Sequence, residues 1–377
     1  MITSLAMRRA PVTVVVREWA RIGATSFGGP PAQVALLREL CVERRRWIDA
    51  QEFEDANAAA QLLPGPGGTQ MAIYCAARVG GGWGGALGGL AFIVPGLVIV
   101  LAISAIALGS SPPLWIRGVG AGAAASVVGV VGEAGLSLAR SSLSGRRGWL
   151  LARAATYLVL GAAAAVAVGP LVVLVLLACG AFELGLRLGF GVYAWPILAT
   201  ASALPALAWT ALKVGALSYG GGFVIIPLMR GDAVDTHHWM TGAEFTNAVA
   251  YGQLTPGPVV HTVAIVGWAA AGLGGALLAA AVAFAPSFAA VATFGRRFVR
   301  LRRSAPARAF LDGAGPAAIG AILGAVVLLF GSLEKWWQYA VLVVAAGVLG
   351  LGRAAFVVLC CGAVVGLVVA AAGGAVP

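Results

Sequence analysis

The chain has 377 residues, 60% of them hydrophobic and only 10% charged, with a mean hydropathy of +0.94. A soluble domain carries roughly 25% charged residues, so composition excludes an ordinary soluble enzyme or binding module and points to a protein that crosses a bilayer many times. The net charge of +11 does not imply nucleic acid, because the cations fall between apolar runs, where the positive-inside rule puts them.

Taken in chain order, apolar runs fall at 11–27, 57–79, 84–108, 115–137, 150–168 and 170–188. A second set falls at 196–220, 247–270, 272–294, 310–331, 336–352 and 354–374. Several approach the roughly 20 residues needed to span a membrane, and no soluble domain interrupts them. The fold class expected is an all-α polytopic membrane protein, its 54 glycines suiting close helix contacts. The first run resembles a signal peptide only superficially, since Arg17 and Glu18 cut it short. The five cysteines show no metal or redox spacing and read as small apolar fillers. No cofactor or metal is expected.

Six runs and six suggest a duplication. RIGATSFGG (21–29) aligns with KVGALSYGG (213–221), WIDAQEF (47–53) with WMTGAEF (239–245), and QLLPGP (61–66) with QLTPGP (253–258), at a constant offset of 192. Of the 46 positions from 21 to 66, 18 are identical. Two Gly/Ala-rich stretches would not keep Trp, Glu, Phe, Gln and PGP in register by chance. The expected units are residues 1–192 and 193–377.

Loop charge bears on their orientation. RELCVERRR (38–46) has four arginines and its counterpart 230–238 has one, whereas RRFVRLRR (296–303) has five and its first-half counterpart has none. Opposite biases are expected of copies that face opposite sides. If 57–79 and 247–270 each enter and leave on one side, bent at PGP, the arginine clusters at 38–46, 140–147 and 296–303 fall on one face. Each half then has about five full spans plus a re-entrant element, and the second copy is inverted. On that layout Arg8 and Arg9 fall on the wrong side.

A helix broken inside a membrane is tolerated only within protein or around a wet cavity, and its new N-terminus favours an anion. The first break offers Pro64, Gly65, Pro66, Gly67, Gly68, Thr69 and Gln70; the second offers Thr255, Pro256, Gly257, Pro258 and His261. The plainer reading, a kink between short helices, is weakened by the repetition in register. Arg21 aligns with Lys213, and cations inside a membrane are functional candidates; helix-end snorkelling, or for Arg21 an ion pair with Glu18, is the plainer alternative. Lys213 has no acid within ten positions. Ser26, Gly28 and Gly29, with Ser218, Gly220 and Gly221, could wrap N–H groups around an oxyanion or simply let helices touch. Glu133, Glu52 and Glu244 are proton-coupling candidates, the last two reading more readily as first-turn anchors. His261 titrates near neutrality and could also carry a proton. No nucleophile–base set, zincin motif or Walker loop is present, so neither an enzyme nor an ATP-driven pump is expected.

SFGGP (26–30), the W–x4–EF segment, QLLPGPGG (61–68), YGGG (219–222) and QLTPGP (253–258) together resemble the chromate transporter family in its long, two-domain form. The resemblance covers both halves. It implies proton-gradient-driven export of chromate across the bacterial cytoplasmic membrane, conferring resistance, with oppositely oriented halves. The second copy departs from the pattern, having SYGGGFVI where the first has SFGGPPAQ, so substrate contacts need not be shared equally. Sulfate or another oxyanion, or a passive anion channel, are the alternatives. The partners expected are the oxyanion and the lipid bilayer, with a homodimer as an option and no nucleic acid.

Overall fold

The computed structural model describes residues 10–60, 65–188, 203–218, 223–294 and 304–377, all of them helical or irregular, with no strand among them. Six helices there are long and apolar enough to cross a membrane. Large apolar side chains such as Val159, Val343 and Leu351 stand outward, which suits lipid and not water. The chain is a multi-pass membrane protein.

Helix α1 (Val12–Thr25) has 14 residues, too few to cross. It runs antiparallel to the start of the later helix α4 (Gly67–Ala107): Ala10 N–H donates to the Val79 carbonyl at 3.1 Å, and Trp19 Nε1 donates to Ala72 O at 2.7 Å. The chain then turns at Gly28 (φ 97°) and Gly29 (φ 76°), a left-handed pair that residues with a Cβ adopt only under strain. Pro30 and Pro31 open α2 (Pro30–Arg38), which continues into a π turn (Glu39–Arg44). Arg44 and Arg45 reach Glu18, midway along α1, each at 2.9 Å, so α2 and its π turn fold back along α1. The run 11–27, expected as a span, is therefore a short 14-residue helix with the following element folded back along it.

A second such pair follows. Helix α3 (Ala50–Ala60) begins beside Arg78 and Tyr74, both bonded to Glu52. It leads through the PGP break into α4, whose nominal length hides a fold-back at Gly81 (φ 73°). A Cβ on Gly84 would lie 2.7 Å from Ala76 O, and one on Gly88 2.6 Å from Ala76 Cβ. In a straight helix residues eight apart are about 12 Å apart, so α4 is a hairpin: a short first arm (67–80) and a long second arm (82–107). Ala10, the first described residue, lies with Val79 at the Arg78 end of the bundle.

Helices α5 (Leu114–Leu143), α6 (Trp149–Ala167) and α7 (Val172–Leu188) complete the first half. The second half repeats the pattern: α8 (Ala203–Leu217), α9 (Ile225–Arg230) with a π turn (Gly231–Thr236), α10 (Gly242–Leu254), a 3-10 turn (Val259–His261), α11 (Thr262–Phe294), α12 (Ala305–Phe330), α13 (Trp336–Gly350) and α14 (Ala355–Ala371). The correspondence reaches fine detail. The two π turns start at 39 and 231, Arg46 and His238 share φ 51°, and Gly65 and Gly257 are both positive at 119° and 93°. Helix α11 folds back at Ala271–Gly272, as α4 does at Gly81, and Pro95 and Pro286 sit in the second arms.

The halves are interlocked. Helix α5 packs on α13 and α14, whereas α12 packs on α6 and α7. These crossings are made by glycine: a Cβ on Gly122 would fall 2.0 Å from Gly362 O, and one on Gly161 1.8 Å from Ala317 O. Backbones this close are the small-residue packing expected of membrane helices.

Candidate functional site

The broken elements of the two halves meet between α4 and α11. Their tips carry the helix breakers, so backbone groups that a continuous helix would satisfy internally are freed here. Gly257 N–H donates to the Ser26 carbonyl at 3.1 Å, joining the second PGP break to the first SFGG turn. Gln33, only 1% exposed, donates from Nε2 to Gly257 O at 2.8 Å, and its Oε1 would stand 2.1 Å from a Cβ on Gly68. One glutamine thus lies against the start of α4 and holds the break before α11. Gly65 faces Gly215 O and Ser287 Oγ, while Gly257 faces Gly23 O and the His261 ring. Gly96, on the second arm of α4, packs against Pro256 O and His261.

Neither first helical turn is capped by a side chain: α4 begins after Pro66 (ψ 107°) and the 3-10 turn after Pro258 (ψ 131°). Around these ends Thr69, Gln70, Ser218, His261 and Ser287 are fully buried, with Ser26 at 1% and Thr255 at 5%. The hydroxyls of Ser26, Thr69, Ser218 and Ser287 have no hydrogen-bond partner among the described residues. The same holds for both His261 nitrogens at normal geometry, although the Ile93 backbone is within the ring's reach. His261 meets Phe284 edge-on at 5.5 Å between centroids. A buried polar atom without a partner costs about 1–3 kcal/mol, and such groups concentrate here rather than along the outer helices. Two helix N-termini plus hydroxyl donors form a surface chemically suited to an oxyanion.

The expected residues divide by location. Gly65, Pro66, Gly67, Gly68, Thr69 and Gln70 lie at this centre with Ser26, Ser218, Pro256, Gly257, Pro258 and His261, while Gly28 and Gly29 form the adjoining turn. Pro64, Gly220 and Gly221 lie outside the described residues. The cations are not equivalent. Arg21 is 54% exposed, pairs with Glu18 at 3.2 Å and lines a cavity of about 230 Å³ with Thr25, Glu39 and Arg44. Lys213 is buried and pairs with Asp232 at 2.5 Å, an acid 19 positions away that a search within ten positions misses. Asp232 aligns with Leu40, so its signal was an acid in the second copy where the first has an apolar residue.

The candidate acids lie away from the breaks. Glu52 is held by Arg78 and Tyr74, Glu244 closes a capping box with Thr241, and Glu133 is 42% exposed with Arg140 at 3.7 Å. Sequence reasoning passed over Glu183, which is 2% exposed and bonded to Arg153, Arg187 and Tyr157. An acid four residues before an arginine inside an apolar run was the available signal. It also passed over Gln33. Gln33→Leu should leave the protein in the membrane yet slow any transport through this centre about tenfold, since it strands the Gly257 carbonyl at about 1–3 kcal/mol. Uptake normalised to protein content measures this, and an unchanged rate would remove Gln33 from the site.

Comparison with known proteins bears directly on this arrangement. The family model described as Chromate transporter matches residues 13–184 and again 205–367. The chain belongs to the chromate transporter family. It is 32% identical to a chromate transport protein of Cupriavidus metallidurans, covering 84% of this chain and 82% of that one. A probable chromate transport protein of Synechococcus elongatus is also 32% identical, with 84% of each chain covered. A chromate transport protein of Pseudomonas aeruginosa is 29% identical, over 82% and 79%. No solved structure matches the chain. The two matched segments of this family member each contain one SxGG motif and one PGP motif.

Proposed function

We propose that this chain exports chromate, a tetrahedral dianion, from the cytoplasm of a bacterium across the inner membrane, driven by the proton gradient, and so confers chromate resistance. The observation that carries the reading is the meeting of both PGP breaks around Gln33, which puts two uncapped helix starts beside four unpartnered hydroxyls. The anion would lie against the N–H groups after Pro66 and Pro258 and the Ser26, Thr69, Ser218 and His261 side chains. Lys213 would supply charge from within, and Arg21 would draw the anion in from its outer cavity.

Alternating access follows from oppositely oriented halves. Supporting that orientation, Glu52 at the start of α3 lies at the Arg78 end, whereas Thr241 and Glu244 at the start of α10 lie with Leu108 and Pro112, beyond the far end of α4. Gly231 likewise packs on Pro170, in the α6–α7 turn. The end that carries Arg38, Arg44, Arg45 and Arg78, reached again by Arg146, Arg153 and Arg187 at the close of α5, the start of α6 and the close of α7, is then cytoplasmic. With α1 re-entrant, Ala10 lies at this end too, while Arg8 and Arg9 fall outside the described residues.

The test is uptake of labelled chromate into inside-out vesicles, with sulfate as competitor and with the proton gradient collapsed. Concentrative uptake that an uncoupler abolishes is expected. Uptake insensitive to the uncoupler identifies a passive anion pathway instead, and preferential uptake of sulfate reassigns the substrate.

A further inference from the structure

Among the described residues Lys213 is the one buried cation, 8% exposed. It lies on α8 two residues before Gly215, whose carbonyl faces Gly65, and five before the buried Ser218. Its counter-charge is a single carboxylate oxygen. Asp232 Oδ2 accepts from Lys213 Nζ at 2.5 Å and from Thr210 Oγ1 at 2.6 Å, and Asp232 is itself 5% exposed. The remaining charges on this segment, Arg230 and Asp235, bind each other at 3.0 Å, and the Gly169–Leu171 turn that packs on it brings none.

The pair is not needed to hold α8 to the π turn. Apolar residues of similar volume usually do that as well as a buried ion pair, or better, and in the first half Leu40 stands at the position of Asp232. There the cation is Arg21, exposed and already paired with Glu18. The internal carboxylate occurs in the copy whose cation is buried. A carboxylate and a tetrahedral oxyanion offer an ammonium the same thing, an anionic oxygen at hydrogen-bond distance.

We propose that Asp232 is a tethered competitor of the transported anion: its carboxylate occupies the seat on Lys213 that the dianion takes on arrival, and reclaims it as the dianion leaves. The inference rests on the reading of Lys213 as an anion-binding group. It makes Asp232 a positioning residue that keeps the empty protein charge-balanced and keeps the loaded one from holding its cargo too tightly.

The experiment uses the purified full-length protein, measuring chromate and sulfate affinity at equilibrium, thermal unfolding with and without each anion, and turnover in vesicles. Asp232→Asn should bind chromate about tenfold more tightly than the wild type, a difference of about 1.4 kcal/mol, while turning over more slowly. It should also melt lower without anion and recover on adding it, by more than the wild type does. The double variant Lys213→Gln with Asp232→Asn should lose this anion response. If Asp232→Asn does not survive purification, Thr210→Val, which loosens the carboxylate's seat, should tighten anion binding instead. Unchanged or weaker affinity in the variant measured overturns the proposal. A wild-type protein that binds neither anion overturns the transport reading itself, a result distinguishable from the first.

Discussion

Gly96→Ala should cut chromate uptake by roughly one to two orders of magnitude, the largest loss expected from adding a single methyl group. The new Cβ would stand 2.2 Å from the Pro256 carbonyl oxygen and 2.6 Å from His261 Cε1. The first contact is backbone, so no side-chain rotation relieves it, and the break before α11 must move. Overpacking of a tight core costs about 1–3 kcal/mol, and here the displacement falls on the groups proposed to bind the anion. Gly82→Ala is the control, because it lies on the same hairpin with nothing within 4 Å of its Cβ position. Matching Pro95 to Pro286 in the second arms sets Ser287 against Gly96, so the second half tolerates a side chain there. Equal uptake by Gly96→Ala and Gly82→Ala would separate this contact from transport.

Lys213→Glu should abolish chromate transport and resistance. The substitution sets a second carboxylate against Asp232, where a 2.5 Å ion pair now stands. Removing one partner of a buried pair costs about 3–5 kcal/mol, and like charges add to that. Loss of assembly is separated from loss of function by exchanging the charges: Lys213→Asp with Asp232→Lys should regain thermal stability but not transport, since the cation then projects from the π turn and not from α8. Arg21→Glu should be milder for stability, because Arg21 is 54% exposed and its ion pair is screened by solvent. Wild-type-like resistance in Lys213→Glu would remove the residue from any anion path.

The sequence exposed much of this. The membrane class followed from composition, and the register of SxGG, W–x4–EF and PGP predicted paired elements; the two π turns, which it did not foresee, fall in that register as well. A break at PGP between two arms was likewise expected, and Glu52 bonded to Tyr74 and Arg78 brings the outer ends of those arms together. What escaped depends on contacts that no local pattern encodes. The boundary between the runs 57–79 and 84–108 falls at the Gly81 fold-back, but that the two arms lie against each other shows only in Gly84 and Gly88 meeting Ala76. Asp232 and Lys213 lie too far apart for helix-spacing arguments. Gln33 is a polar residue in an amphipathic stretch, and its importance comes from Gly257, 224 positions away. The repeat pointed away from it, because its counterpart is Ile225.

The exchange of helices between the halves has a consequence for how such a chain comes to exist at all. The glycine face of α5 is covered by α14, and that of α12 by α6 and α7, so neither half owns the surface that completes it. The molecule is in effect a dimer threaded on one string. Joining the units replaces an encounter between separate chains, whose yield would depend on their concentration in the membrane, with an intramolecular step at a fixed high effective concentration. Once joined, the copies were also released from having to be identical. Leu40 and Asp232, Gln33 and Ile225, and Gly96 and Ser287 are positions where that freedom has been used.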